Sequence, residues 1–262
     1  MFKGASMRRF LLPLAILAGL IFGSINLFCA EGDAAAQTQT ITVRHFLNPD
    51  ALPARESLAT AEGTNFTDMA EIDLFNTPTT LGGVQLLLDG VAQRLRSVTP
   101  TRVVFIVDAV GQTTRQVELH TKSGETLRAQ VSVVNAWPGL LTQATGDDPL
   151  SSLPAGLWVQ DPNDTVLHPI SEDPLPVGPA LHPTQVILTG SGWRYATRVN
   201  VRLNGVPCVV ANYGPSGFFP GQDELAFFIP PRMAGAGSVD MIVSVAGRES
   251  NYTRLNLGAA VN

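Results

Sequence analysis

One internal repeat constrains this chain more than any other feature. Val84-Gln85-Leu86-Leu87-Leu88-Asp89-Gly90-Val91-Ala92 aligns without gaps on Val199-Asn200-Val201-Arg202-Leu203-Asn204-Gly205-Val206-Pro207. Upstream of the first copy lies Leu58-Ala59-Thr60-Ala61-Glu62-Gly63-Thr64-Asn65-Phe66, and upstream of the second Gln185-Val186-Ile187-Leu188-Thr189-Gly190-Ser191-Gly192-Trp193. Each reads as a strand, a glycine, two small or polar residues and an aromatic. Such self-similarity makes two modules of like architecture the economical solution.

Period-two patterning says what the modules are made of. Val117 and Leu119 alternate with Gln116, Glu118 and His120; Leu127, Ala129, Val131 and Val133 alternate with Thr126, Arg128, Gln130 and Ser132. In the second half Val199, Val201 and Leu203, then Val239, Met241, Val243 and Val245, then Thr253, Leu255 and Leu257 do the same. One apolar face per segment is the signature of a half-buried strand. Asp89-Gly90 and Asn204-Gly205 are pairs that type I′ hairpins require, because both central residues need positive φ. Lys122-Ser123-Gly124-Glu125 joins two alternating strands, and Ala246-Gly247 is a weaker turn. Met69-Ala70-Glu71-Ile72 reads as a short turn of helix. Many short strands with regular turns predict an all-β chain of two tandem immunoglobulin-like β-sandwiches, each copy roughly 80 residues.

Further residues carry a resemblance. Thr79-Thr80-Leu81-Gly82-Gly83-Val84, Asp89-Gly90 and Ala136-Trp137-Pro138-Gly139-Leu140-Leu141-Thr142 mark the first half. Asn204-Gly205-Val206-Pro207, Tyr213-Gly214-Pro215, Phe219-Pro220-Gly221-Gln222-Asp223-Glu224-Leu225, Ile229-Pro230, Ala234-Gly235 and Gly247-Arg248-Glu249-Ser250-Asn251 mark the second. This order resembles an uncharacterised paired module at the C-termini of exported acidobacterial-type proteins, related to the IPT/TIG class of immunoglobulin-like domains. The resemblance covers roughly residues 53–258. It departs at Thr99-Pro100-Thr101-Arg102-Val103-Val104, where the family carries a Ser-Pro-x-Gln-Ile-Asn segment. It implies export and an immunoglobulin-like (E-set type) fold, and it supplies no catalytic residues.

Residues 1–36 have the order of an export signal: Lys3, Arg8 and Arg9, an apolar stretch from Phe10 to Phe28, then Ala34-Ala35-Ala36. Cleavage after Ala36 is expected; the rival is a retained signal anchor, which would be the chain's contact with a membrane. A lipoprotein reading through Cys29 fits poorly after Asn26-Leu27-Phe28. The expected divisions are 1–36 signal segment, 37–52 linker, 53–136 first sandwich, 137–180 Pro- and Asp-rich linker, 181–258 second sandwich and 259–262 tail. The linker is read from Pro138, Pro149, Pro154, Pro162, Pro169, Pro174, Pro176 and Pro179, since proline disrupts ladders and stiffens extended chain. Localisation is expected to be secreted or cell-envelope.

Little in the sequence points to chemistry. Residues 1–36 remove three of the 17 basic and two of the 22 acidic residues, leaving 14 against 20 and a formal charge of −6. That balance excludes a nucleic-acid partner, which needs a basic face. Neither a His-Glu-x-x-His, a Gly-x-Ser-x-Gly, a phosphate loop nor a Cys-x-x-Cys occurs, so no enzyme is expected. His45, His120, His168 and His182 lie apart, giving no metal set. Asp147, Asp148, Asp161, Asp164, Glu172 and Asp173 gather in the linker; they match no calcium loop and are read as solvated charges, with calcium the weaker alternative and no other cofactor. Cys208 reads as a small buried hydrophobe, Gly190-Ser191-Gly192 as a turn, and Trp137 and Trp193 as core or junction residues.

One binding candidate remains. Tyr213, Phe218 and Phe219 sit on a Gly/Pro-rich loop, where aromatics can form a platform for a sugar or a partner protein. The function expected is a non-catalytic structural, adhesive or interaction protein whose partner is a protein or polysaccharide at the cell surface. The alternative is a carbohydrate-binding module using loop 213–220.

Overall fold

A computed structural model describes residues 40–143, 153–160 and 166–261. The predicted signal segment, Asp147, Asp148, Asp161 and Asp164 lie outside the described residues. The first module runs β1 (Thr42–His45), β2 (Leu58–Glu62), β3 (Glu71–Ile72), β4 (Gln85–Leu88), β5 (Val91–Ala92), β6 (Arg94–Thr99), β7 (Arg102–Ile106), β8 (Thr113–His120) and β9 (Thr126–Val133). The second runs β10 (Gly139–Leu140), β11 (Thr142–Gln143), β12 (Leu153–Pro154), β13 (Gly156–Val159), β14 (His168–Pro169), β15 (Leu175–Val177), β16 (Gln185–Ser191), β17 (Val199–Leu203), β18 (Val206–Pro215), β19 (Asp223–Phe228), β20 (Gly237–Val245), β21 (Arg248–Glu249) and β22 (Thr253–Ala260).

The first module has two sheets, β1-β2-β7-β6-β3 and β5-β4-β8-β9. In chain order these are the A-B-E-D and C′-C-F-G sheets of an immunoglobulin sandwich, with β3 added along the D edge. Segment 53–54 runs parallel to the end of β9: Ala54 bridges Val134, and the Val134 N–H donates to Pro53 O at 3.0 Å. The core lies between the sheets, with Leu86, Val117 and Leu119 facing Ala59, Leu95 and Phe105.

The second module repeats the order as one folded-over sheet. The ten-residue β18 pairs β17 through Val206–Cys208 and then crosses to pair β19 through Val209–Pro215. A register shift between Val210 and Asn212 bends it at the crossing, as a bulge does. On one side lie β13, β16 and β19; on the other β17, β20, β22 and β15, with β15 parallel to β22. Their inward residues, among them Val186, Leu188, Phe227, Met241, Val243 and Leu255, form a second core. Both modules therefore pair an edge segment parallel to their last strand.

The repeat has a physical basis. Phe66 and Trp193 are both fully buried, and each ring folds back onto the glycine three residues earlier. A Cβ on Gly63 would sit 2.7 Å from Phe66 Cζ; one on Gly190 would sit 2.1 Å from Trp193 Cη2. The two hairpin turns also match, with φ of 49° and 80° at Asp89-Gly90 and 45° and 78° at Asn204-Gly205.

Two expectations are corrected. Over its described residues the stretch 137–180 is more than a semi-rigid linker: β10 and β13 pair β16, and β15 pairs β22, so it supplies strands of the second sandwich. Pro154, Pro169 and Pro176 are tolerated because they fall at strand ends or on edge strands, where a ladder N–H is dispensable. Met69–Ile72 forms no helical turn; Glu71–Ile72 is a strand pairing Ser97–Val98 of β6. That pairing, with the Asp73 N–H donating to Arg96 O at 3.0 Å and the Leu95 N–H to Pro78 O at 2.7 Å, covers the β6 edge and outweighs the weak local preference. Among the described residues no helix is long and apolar enough to cross a membrane.

Candidate functional site

All described residues belong to one compact unit, Gln39–Asn262, and the contact between its two modules is where polar groups are buried. At the Leu58 end of β2 and over Val103–Ile106 of β7 both faces are apolar. Ala59 and Phe105 face the core, while Leu58, Val104 and Ile106 form a separate cluster on the outer face. The second module's turn 219–222 lies on that cluster: a Cβ on Gly221, which has φ +80°, would sit 2.8 Å from Leu58 Cδ2.

Polar ties fix the contact. Ser191 Oγ accepts the Leu58 N–H at 2.9 Å and donates to Gly221 O at 2.7 Å. Ser191 thus belongs to β16 and bridges the modules. Asp223, fully buried, accepts from Arg194 Nε at 2.5 Å and from the Trp193 N–H at 2.9 Å. Arg194 Nη1 also donates to Glu56 of the first module at 3.1 Å, and the Tyr195 hydroxyl donates to the other Glu56 oxygen at 2.7 Å. Burial pushes the Asp223 carboxyl up against the pull of Arg194. At Glu56 burial acts the same way, but Tyr195 and Arg194 outweigh it and hold the carboxyl below its ordinary value.

His45 is fully buried in the same contact. Its Nδ1 accepts the Leu47 and Asn48 N–H groups, each at 3.2 Å, which places the proton of the neutral ring on Nε2. Gly139 and Gly192 leave room for the ring; a Cβ on Gly139 would sit 2.4 Å from His45 Cε1. Burial lowers the imidazole pKa to about 4, partly offset by the Ser191 backbone.

At the rim of this contact the long first-module loop meets the aromatic loop of the second. Phe75 and Phe219 pack with ring centroids 5.4 Å apart, and the Arg96 guanidinium lies 5.6 Å from the Phe219 centroid. An Asx turn, with Asp73 Oδ1 accepting the Asn76 N–H at 2.9 Å, holds Phe75 in place. Phe75 is 66% exposed and Phe218 78%, with Met69 and Ile72 beside Phe75 in the same loop also exposed. Beneath them is a cavity of about 270 Å³ walled by Phe46, Leu47, Leu58, Ile72, Leu74 and Leu141. Val104, Ser97, Arg96 and Gln222 complete it.

Of the three aromatics expected to bind, the structure brings Phe219 into the junction and leaves Phe218 exposed on the same loop. Tyr213 lies elsewhere: it packs against the second core and its hydroxyl donates to Ala196 O at 3.2 Å. Cys208 is half-buried, its thiol pushed up to about 12 by burial. Glu172 and Asp173 are exposed, and among the described residues no group of three or more His, Cys, Asp or Glu could hold a metal. Sequence reasoning missed Arg96, Phe75 and His45. The run Val103-Val104-Phe105-Ile106-Val107 held the signal for the junction, because a strand apolar at every position is covered on both faces.

No family model and no curated protein matches this chain. Among solved structures it is similar to the titin Ig tandem domains A164-A165, at 10% identity over 85% of this chain and 98% of that chain, with a TM-score of 0.22.

Proposed function

We propose that this is an exported, non-catalytic interaction protein of the cell envelope, a tandem immunoglobulin-like pair of the IPT/TIG kind that engages a macromolecular partner at the module junction. The observation that carries this is the exposed apolar surface of Met69, Ile72, Phe75 and Phe218, contributed by loops of both modules and held by a polar contact beneath. Phe75 packs on Phe219, the chain neighbour of Phe218, so loops of both modules bring exposed aromatics to one rim, and aromatics are the usual anchors of interaction sites. The immunoglobulin-like fold supports a binding role.

A protein partner fits better than a polysaccharide. Tyr213 is turned away, and Phe219 has one face against Phe75, so loop 213–220 offers a sugar only the Phe218 ring. The test is a screen of cell-wall polysaccharides and envelope proteins against the full chain and a Phe75→Ser/Phe218→Ser double variant. Saturable binding lost in the variant supports the reading. Binding unchanged in the variant moves the site elsewhere. N-terminal sequencing of the exported protein checks the signal: a start at Gln37 is expected, and an intact N-terminus would mean an anchor.

A further inference from the structure

Among the described residues no carboxylate compensates the charge in the junction cavity. Arg96 is only 8% exposed, yet among the described residues it has no carboxylate partner. Burial alone shifts it, downward from the usual arginine value, and no acidic group opposes that shift. Its polar neighbour is neutral: with the Gln222 amide turned to face it, Oε1 lies 3.2 Å from both Arg96 Nη1 and Nη2. The backbone is also irregular here. Register shifts between Leu95 and Ser97 of β6, so Arg96 is the extra residue of a β-bulge. Bulges recur beside functional sites; Arg96 shares the outer face of β6 with Arg94, and the Gln222 turn of the second module covers it there. A buried charge is ordinarily paired, because desolvating it alone is costly. The guanidinium has five donors, and the Gln222 oxygen engages two of them.

We propose that this cavity binds an aliphatic monocarboxylate, with Arg96 taking the carboxylate and Ile72, Leu74 and Leu141 taking the chain. The proposal rests on reading the junction as a binding surface and names the small ligand that surface admits. An anion answers the unpaired guanidinium, which suits a carboxylate as a fork of paired donors. Apolar walls select an alkyl tail over a sugar. The volume of about 270 Å³ falls just below the range of about 300–1,000 Å³ for drug-sized ligands, so a short chain fits and an oligosaccharide does not.

The experiment is calorimetric titration of the full chain with octanoate and with 1-octanol, repeated on Arg96→Met. Octanoate should bind the native protein roughly 10- to 100-fold more tightly than octanol, the span expected of charge-assisted hydrogen bonds. Arg96→Met should lose that preference while melting at or above the native temperature, since it removes a buried unpaired charge. Equal binding of the two ligands, no saturable octanoate binding at millimolar concentration, or retained octanoate preference in Arg96→Met would overturn the proposal. A lower melting temperature of the unliganded variant would do so too, by making Arg96 a structural cation. Should Arg96→Met fail to fold, the octanoate-to-octanol ratio on the native chain decides alone. A failure here leaves the Phe75/Phe218 surface standing, because that reading is tested with macromolecules and other side chains.

Discussion

Replacing Gly190 by alanine tests the pairing of glycine and aromatic that both modules share. The added Cβ would lie 2.1 Å from Trp193 Cη2 and 2.4 Å from Gly139 O. The first obstacle is a fully buried ring whose Nε1 donates to Glu224 O at 3.1 Å; the second is backbone, in the β10–β16 ladder. Neither yields like the tip of a flexible side chain. If the ring leaves its slot, the loss approaches that of truncating a buried aromatic, about 3–5 kcal/mol. For a chain of this size that lowers the melting temperature by about 6–20 °C. At Gly63 the same methyl meets Phe66 Cζ at 2.7 Å and Ile41 Cγ2 at 3.2 Å, both side chains. Gly63→Ala should therefore cost less, about 1–3 kcal/mol, the ordinary range for overpacking. Urea unfolding of both variants, with near-ultraviolet circular dichroism reporting Trp193, gives the comparison. The reasoning is refuted if Gly190→Ala stays within about 0.5 kcal/mol of the native protein, or if Gly63→Ala is the more damaging.

Three further outcomes follow from the junction and the second core. His45 protonates near pH 6.5 when exposed and near 4 when folded; between these values the unfolded chain holds the extra proton, so stability falls by about 3 kcal/mol as pH drops through that window. His45→Asn should flatten the slope there, and an unchanged slope would mean that the ring does not carry it. Arg194→Met strands the buried Asp223 carboxylate and should cost about 3–5 kcal/mol, whereas Glu56→Gln, at a more exposed position, should cost about 1 kcal/mol or less; equilibrium unfolding ranks them, and the reverse order would refute the assignment. Cys208, with its thiol near 12, should resist iodoacetamide at pH 8 in the folded protein and react promptly in urea; mass spectrometry showing equal rates would contradict its burial.

How much of this was legible in the sequence depended on how local each cause is. Hairpin turns are set by two adjacent residues, so Asp89-Gly90 and Asn204-Gly205 were readable. Period-two strands expose their pattern over a few residues, and the β8–β9 hairpin appeared with its faces correctly assigned. The shared glycine and aromatic were visible as a motif, although their mutual contact was not. Stretch 137–180 failed because its strands are two to four residues long. Such short pieces carry no period, and the ladder partners of β10, β13 and β15 lie more than twenty residues away in β16 and β22. The same holds for Glu71–Ile72, whose conformation is decided by the β6 edge rather than by its own residues.

The functional surface was least legible, for a related reason. Loop 213–220 was identifiable as aromatic, but a loop's role depends on what faces it. Phe219 finds Phe75 across 144 positions of sequence, and Tyr213, six residues earlier on a bulged strand, points away from both. Arg96 carried no signal in its own neighbourhood: Arg94 and Arg96 flank Leu95 on one strand face, and nothing local says that the second module's Gln222 covers the latter. Arg94 pairs with Asp108 through its Nε at 2.9 Å. A solvent-facing ion pair and a buried guanidinium with no counter-ion among the described residues thus stand two positions apart on one strand face. Strand alternation predicts side-chain direction only while register holds, so the positions where it slips are where a β-sandwich can hide a site. In this chain register slips at Arg96, at Ala211 and between Leu175 and Val177. Arg96 is the one of these that carries a charge into an apolar cavity.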